Sequence, residues 1–136
     1  MMRVNITAEE LTTAVRNDPF LKSFNLRVLK AEDGEVIIEC DLQEHLKRVG
    51  DIMNGGAVMS LVDTAGGLCI ITSENLLNQV TSSLTVNFLH PISKGPVTAK
   101  GKLVKAGKNL AYVEVEVTDG EGKLSARAIG TWFVFR

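Results

Sequence analysis

The hydrophobic residues between positions 55 and 73 lie on nearly every side of a predicted helix. This stretch contains one charged residue, Asp63, and is otherwise made of apolar, small and hydroxyl-bearing residues. A helix that is hydrophobic all round is typical of a protein core. Asn54 is a favourable N-cap residue. The pattern therefore predicts a buried central helix that begins at Gly55 and ends near Ser73.

Most of the remaining chain alternates apolar and polar residues with the two-residue period of β-strands. The alternation is strictest at 112–117, where valines are separated by Glu114 and Glu116. Asp33-Gly34 is a hairpin signal between the first two predicted strands. The predicted strands are residues 24–31, 35–42, 80–89, 97–105, 112–117 and 124–135, and residues 43–53 are expected to form a polar connection.

The order of these elements predicts an α+β fold. Thr7 and Glu10 match a capping box, so a short amphipathic helix should follow and end before Asp18-Pro19. Strands joined by hairpins favour an antiparallel sheet of about six strands, which would wrap the central helix. The 136 residues suit a single domain. Residues 1–19 would be an N-terminal helical segment and residues 20–136 the core.

Composition and charge argue against several classes of protein. The formal net charge of −1 does not suit a nucleic-acid-binding surface. The N-terminal residues lack the apolar stretch of a signal peptide, and glycines interrupt the central helix too often for a membrane span. Cys40 and Cys69 lack metal-ligand spacing, so we expect buried free thiols in a cytoplasmic protein without metal or cofactor.

Candidate chemistry concentrates on the central helix. A lone carboxylate in an apolar helix is costly to bury, which makes Asp63 the first candidate for a catalytic group. At the helix entrance, the amides of Gly55 and Gly56 lie at the positive end of the helix dipole and could bind a carbonyl or an anion. The alternative is that the two glycines only allow close packing of the helix against the sheet.

Three segments together resemble the hotdog fold, and more narrowly the acyl-CoA thioesterases of the phenylacetate-degradation (PaaI-like) type. They are Gly50-x-x-x-Asn54-Gly55-Gly56, Leu61-Val62-Asp63-Thr64-Ala65, and the strand at residues 80–91, which reads VTSSLTVNFLHP. The resemblance covers roughly residues 20–135. It implies a six-stranded sheet around one long helix and hydrolysis of an acyl-CoA to free acid and CoA.

The resemblance implies catalytic roles for three residues by position. Asp63 falls at the family's catalytic carboxylate, Gly55 at the backbone N–H that polarises the thioester carbonyl, and Thr81 at the Ser or Thr that positions water. Two positions depart from the family: Asn54 stands where His is usual, and Arg48 stands where Asn or Gln is usual. Arg48 brings a fixed charge that could pair with Asp63, take the place of the water or contact the substrate.

Further residues are expected to bind the substrate. Arg48, Asn54 and Gly56 would do so at the helix entrance. Cations near turns suit the phosphates of CoA, and the candidates are Lys94, Lys105, Lys108 and Arg127, with Lys105 and Lys108 preferred. Solvated surface charge is the alternative for each of these cations. His45 and His90 receive no role.

One distance predicts the assembly. Gly55 and Asp63 are eight residues apart, so they are separated by about 12 Å along one helix at 1.5 Å per residue. Both cannot act on the same carbonyl from one chain. A two-fold homodimer with antiparallel central helices would supply Asp63 from the second chain, and the family resemblance implies the same dimer and often a dimer of dimers.

Other interpretations of these residues stay open. Asp63 could be a structural acid, and Thr81 an ordinary strand threonine. The protein could bind or sense acyl-CoA without hydrolysing it. A hotdog dehydratase is a further alternative, which would require a histidine beside the acid for proton transfer at carbon.

Overall fold

The computed structural model describes residues 5–136 and contains two α-helices, one large sheet and one small hairpin whose two strands have two residues each. The N-terminal helix α1 spans Ala8–Asn17, and a 3₁₀ turn follows at Leu21–Phe24. The central helix α2 spans Gly55–Ser73. The strands are β1 (Arg27–Glu32), β2 (Glu35–Cys40), β3 (Lys47–Arg48), β4 (Ile52–Met53), β5 (Asn78–Phe88), β6 (Val97–Ala106), β7 (Leu110–Thr118) and β8 (Leu124–Phe135).

Six of the strands form one antiparallel sheet in the order β1-β2-β6-β7-β8-β5. All six contact α2, which lies in the hollow of the sheet. The side chains that alternate toward the helix are buried, whereas Glu114 and Arg127 point away from it and are exposed. The α+β hotdog fold predicted from the sequence is confirmed. The order also leaves the 11-residue strand β5 at one edge of the sheet.

The first helix begins as the capping box predicts. The Thr7 hydroxyl oxygen accepts a hydrogen bond from the Glu10 N–H, and the Glu10 carboxylate accepts one from the Thr7 N–H. Leu11 and Val15 face the core. Residues 1–4 of the predicted N-terminal segment lie outside the described residues, and the division at residues 19 and 20 stays a prediction.

The central helix lies so close to β8 that one position has no room for a side chain. A Cβ atom built on Gly66 would lie 2.2 Å from Cη2 of Trp132, which is itself buried. Atoms at that distance overlap, so glycine is required for this contact between helix and sheet. Trp132 and the fully buried Leu61, Val62 and Ile70 form much of the core.

One side of α2 is not covered by the sheet, which corrects the prediction of a helix buried all round. Met59 is 40% exposed, and Gly56, Ser60, Asp63 and Thr64 are exposed or half-buried along the same stripe.

The prediction that its glycines make the central helix unsuited to a membrane span was wrong. By length and composition the 19-residue helix could span a membrane, although 61% of its most apolar window is buried inside the fold.

Several element boundaries differ from the prediction. Phe24 ends a 3₁₀ turn rather than beginning a strand, because Asn25 adopts a left-handed conformation with φ of 52°. The predicted polar connection at 43–53 contains a 3₁₀ turn at Glu44–Leu46 and the hairpin of β3 and β4. The Asp33-Gly34 turn is confirmed, with both residues at positive φ, 45° and 82°. These values match the left-handed turn geometry that favours such hairpins.

Candidate active site

The Asp63 carboxylate lies beside the edge strand and is held by Thr81. The Thr81 hydroxyl donates a hydrogen bond of 2.5 Å to Oδ1 of Asp63. Asp63 is half-buried on the uncovered stripe of α2, and Thr81 is exposed on β5. No other hydrogen bond to this carboxylate is recorded among residues 5–136. The second carboxylate oxygen is therefore available to a water molecule or a substrate.

A pocket of about 470 Å³ opens next to this pair. The helix α2, the strands β5 and β8, the helix α1 and the 3₁₀ segment after it all contribute to its wall. The pocket is lined by Ala14, Val15, Asp18, Leu21, Asp63, Thr64, Gly67, Leu68, Gln79, Val80, Thr81 and Trp132. We call it the Asp63 pocket. Its volume lies within the usual range for small-molecule sites.

The entrance of α2 lines a second, separate pocket of about 330 Å³. It is formed by Arg48, Ile52, Met53, Gly55, Val58, Phe88, Leu89, His90, Pro91, Ile92 and Ser125, and we call it the Gly55 pocket. The Asn54 side chain caps the helix by accepting hydrogen bonds from the N–H groups of Gly56 (2.7 Å) and Ala57 (3.2 Å). Within residues 5–136 no acceptor is recorded for the Gly55 N–H.

The two predicted catalytic groups thus belong to different pockets of one chain. Gly55 and Asp63 share one continuous helix, along which eight residues span about 12 Å. The Gly56 amide, predicted to bind substrate, already donates to Asn54. Asn54 therefore shapes the entrance as an N-cap, and Gly55 is left as the amide that can bind a further acceptor.

Arg48 lies in the Gly55 pocket rather than beside Asp63 of its own chain. The residue is exposed at the end of β3, and its guanidinium Nη1 donates a hydrogen bond of 2.5 Å to the Val49 carbonyl. The interpretation of Arg48 as a residue at the mouth of the site is consistent with this position. The pairing of Arg48 with Asp63 is not formed within one chain.

The structure does not bring the predicted phosphate-binding cations to either pocket. Lys105 on β6 is exposed, and Lys108 is exposed in the following turn, where its carbonyl accepts from Arg136. The other two candidates make ion pairs elsewhere: Lys94 with Glu121 and Arg127 with Glu116. The histidines differ from each other, because His90 lines the Gly55 pocket and His45 contacts the Ser23 carbonyl.

The sequence did not reveal the contribution of the N-terminal helix to the site. Ala14, Asp18 and Leu21 line the Asp63 pocket, although they precede Asp63 by 42 to 49 residues in the sequence. Gln79 also lines it, and its side-chain amide has no recorded partner among the described residues. The predicted strand began at residue 80 and left Gln79 outside it, whereas β5 begins at Asn78 and so places Gln79 two residues before Thr81 on one strand.

The cysteines take no part in either pocket. Both are buried and free, as predicted. Burial raises the pKa of the Cys40 thiol to about 11 and that of the Cys69 thiol to about 12. A thiol of this kind stays protonated at neutral pH and is a poor nucleophile.

Comparison with known proteins identifies the chain's relatives. A family model described as the thioesterase superfamily matches residues 50–126, which include Gly55, Asp63 and Thr81. A Thermoplasma acidophilum protein named "Putative esterase" is 41% identical over 128 residues, with 94% of this chain and 97% of the relative covered.

Solved structures agree with this relationship. A mutant of the phenylacetic acid degradation protein PaaI from Thermus thermophilus has a TM-score of 0.77 and 29% identity, covering 85% of this chain and 98% of the other. A hypothetical thioesterase from Streptococcus pneumoniae, solved with coenzyme A, has a TM-score of 0.72 and 26% identity, covering 80% and 84%.

Proposed function

The chain belongs to the thioesterase superfamily, and from this premise we propose that it hydrolyses acyl-CoA thioesters to the free acid and CoA. The family match and the esterase names of the relatives support a hydrolase. The hydrogen bond between Thr81 and Asp63 at the mouth of a pocket is the observation that most supports the proposed chemistry. The coenzyme A in the Streptococcus pneumoniae structure supports CoA as the thiol portion of the substrate.

Asp63 acts as the general base or as the nucleophile. As a base, its free oxygen takes a proton from water while the oxygen of that water attacks the thioester carbon. The carbon–sulfur bond then breaks, and the CoA sulfur takes up the proton from Asp63. As a nucleophile, the carboxylate attacks the carbon itself and the carbon–sulfur bond breaks, which releases the CoA thiolate and leaves a mixed anhydride on Asp63. Water then hydrolyses the anhydride to the free acid and the Asp63 carboxylate, and a proton from that water goes to the CoA sulfur. In both routes Thr81 holds the carboxylate in position, and its lone pairs can accept a hydrogen bond from the attacking water.

The Gly55 N–H stabilises the negative charge that develops on the carbonyl oxygen. Backbone amides at a helix N-terminus are fixed dipoles, so they do not have to reorganise during the reaction. Because Gly55 and Asp63 line different pockets of one chain, the complete site requires the Gly55 pocket of one protomer and the Asp63 pocket of its partner. A two-fold dimer supplies two such composite sites.

The uncovered stripe of α2 and the edge strand β5 are the surface where the partner would bind. Val80 and Phe88 on β5 and Met59 on α2 are between 40% and 54% exposed, which is unusual for apolar side chains on adjoining elements. An unpaired edge strand is also a template for pairing with another chain. A dimer of dimers and the cytoplasmic location stay predictions.

The first test is hydrolysis of a panel of acyl-CoAs, followed by release of the free thiol. Asp63→Asn removes the base but keeps the size of the side chain, and we expect kcat to fall by about 10²- to 10⁴-fold with the fold intact. Single turnover in ¹⁸O-labelled water tests the nucleophile route, since label enters Asp63 only when an anhydride is hydrolysed at the Asp63 carbonyl. Wild-type turnover by D63N on a confirmed substrate would overturn the assignment.

The composite site has its own test in mixed dimers. Gly55→Pro lacks the catalytic N–H, and D63N lacks the base, so each variant alone should be nearly inactive. In a hybrid of the two chains, one site receives both defects and the other receives neither. With random pairing, half of the dimers are hybrids with one intact site each, so about a quarter of the wild-type activity should return. No recovery in purified hybrids would contradict a shared site.

A further inference from the structure

The two pockets that would meet at the thioester differ in charge. Among residues 5–136, the ionisable residues that line the Asp63 pocket are two acids, Asp18 and Asp63 itself. The Gly55 pocket is lined by Arg48 and His90 and, within the part of the chain that the structure describes, by no acid. A cationic pocket suits the CoA portion, which carries phosphates. A pocket that holds a second carboxylate, and whose other lining residues are uncharged, suits an uncharged acyl group.

We propose that the bound substrate lies with its acyl group in the Asp63 pocket of one protomer and its CoA portion in the partner's Gly55 pocket. We further propose that helix α1 selects the acyl group. This inference rests on the proposed function and adds the orientation of the acyl-CoA in the site. It also names the substrate class, which is neutral acyl groups whose length is limited by the N-terminal helix. Specificity then depends on residues far from the catalytic motifs in sequence.

The wall that α1 contributes is small at one position. Ala14 lines the pocket from the second turn of the helix. Its neighbours Leu11 and Val15, of which Val15 also lines the pocket, are anchored by burial. Leu21 completes the same wall from the 3₁₀ segment. The helix is held in place by its capping box and by the Arg16 Nε bond to the Leu26 carbonyl, 2.9 Å long. A fixed wall with a methyl group facing the cavity sets a definite limit on acyl length.

Asp18 gives the same wall a negative charge. One carboxylate oxygen, Oδ1, accepts hydrogen bonds of 2.9 Å from the N–H groups of Phe20 and Leu21. From residue 5 onward, no lysine, arginine or histidine lines this pocket to balance the charge. An acyl group that ends in a carboxylate would be repelled here, whereas the neutral acyl group of equal length would not.

The size limit is tested with saturated acyl-CoAs from acetyl-CoA to dodecanoyl-CoA. Ala14→Leu should shorten the longest well-used chain by roughly two to three methylene groups, with kcat/KM for longer chains falling about tenfold or more. Leu21→Ala should extend it. Thr13→Leu is the matched control, because Thr13 lies on the exposed side of the same helix and does not line the pocket. Its length profile should equal that of the wild type.

The charge is tested with Asp18→Asn, which keeps the Oδ1 acceptor of the turn. The ratio of kcat/KM for succinyl-CoA to that for butyryl-CoA should rise about tenfold. Glu9→Gln, the same charge change on the exposed first turn of α1, should leave the ratio unchanged.

The outcomes separate the two proposals. If the wild type hydrolyses no acyl-CoA, both proposals are wrong. If it hydrolyses them but A14L, L21A and T13L share one length profile, the thioesterase assignment stands and the role of α1 is overturned. A D18N ratio equal to that of the wild type would overturn the charge selection alone.

Discussion

Proline in place of Gly55 removes one backbone N–H and leaves the rest of the helix entrance intact. Gly55 is the first residue of α2 after the cap Asn54, a position where proline is favoured because the N–H has no partner in the helix. Asn54 has ψ of 133°, which keeps it outside the α region that a following proline disfavours. A Cβ atom at Gly55 would lie 3.8 Å from the Phe88 ring, an ordinary van der Waals contact.

These features predict a variant that folds normally but has lost one oxyanion donor. The cap hydrogen bonds run from Gly56 and Ala57 to Asn54, so none is lost. Removal of one such donor costs about 10²- to 10³-fold in kcat, or about 3–4 kcal/mol of transition-state stabilisation. The Gly55→Ala variant is the matched control, because it adds the Cβ atom but keeps the N–H.

The assay is steady-state kinetics on the best acyl-CoA, with far-ultraviolet circular dichroism and sizing to verify the fold and the assembly. We expect G55P to lose at least about 10²-fold in kcat and G55A to stay within about threefold of the wild type. If both variants lose the same factor, the effect is steric and not electrostatic. If G55P retains the wild-type kcat, the Gly55 N–H does not stabilise the transition state and the reasoning is refuted.

Three further predictions concern single side chains. Because Arg48 is an exposed cation in the Gly55 pocket, Arg48→Gln should raise KM for acyl-CoA by up to about fivefold and change kcat little. The increase in KM should be smaller at high salt. Unchanged kinetics across several acyl-CoAs would show that Arg48 is a solvated surface residue. Gly66→Ala should destabilise the fold by about 1–3 kcal/mol in denaturant titrations, since its Cβ would overlap the buried Trp132 ring; an unchanged midpoint would contradict this packing. Cys40 and Cys69 should react with a thiol reagent only after denaturation at neutral pH, because burial raises their pKa values to about 11 and about 12; rapid modification of the native protein would show that the core opens.

Local patterns in the sequence were sufficient to predict both α-helices, the six strands of the large sheet and the class of fold, but not the 3₁₀ turns or the hairpin of β3 and β4. Thr7 and Glu10 form the predicted capping box, and Asn54 caps the central helix, because a cap depends on residues within one turn of each other. The alternation around Glu114 predicted a strand with one buried face, since burial follows the two-residue period of the backbone. The lone charge at position 63 also identified the candidate carboxylate without any knowledge of its neighbours.

The tertiary structure alone decided which residues surround that carboxylate. Thr81 reaches Asp63 because β5 lies at the edge of the sheet beside the uncovered stripe of α2. Ala14 and Asp18 reach the same pocket because α1 packs across it, and Arg48 lies at Gly55 rather than at Asp63. These contacts join segments distant in the sequence and depend on strand order and on helix packing. Periodicity determines which face of an element is apolar, but it does not determine which other element covers that face.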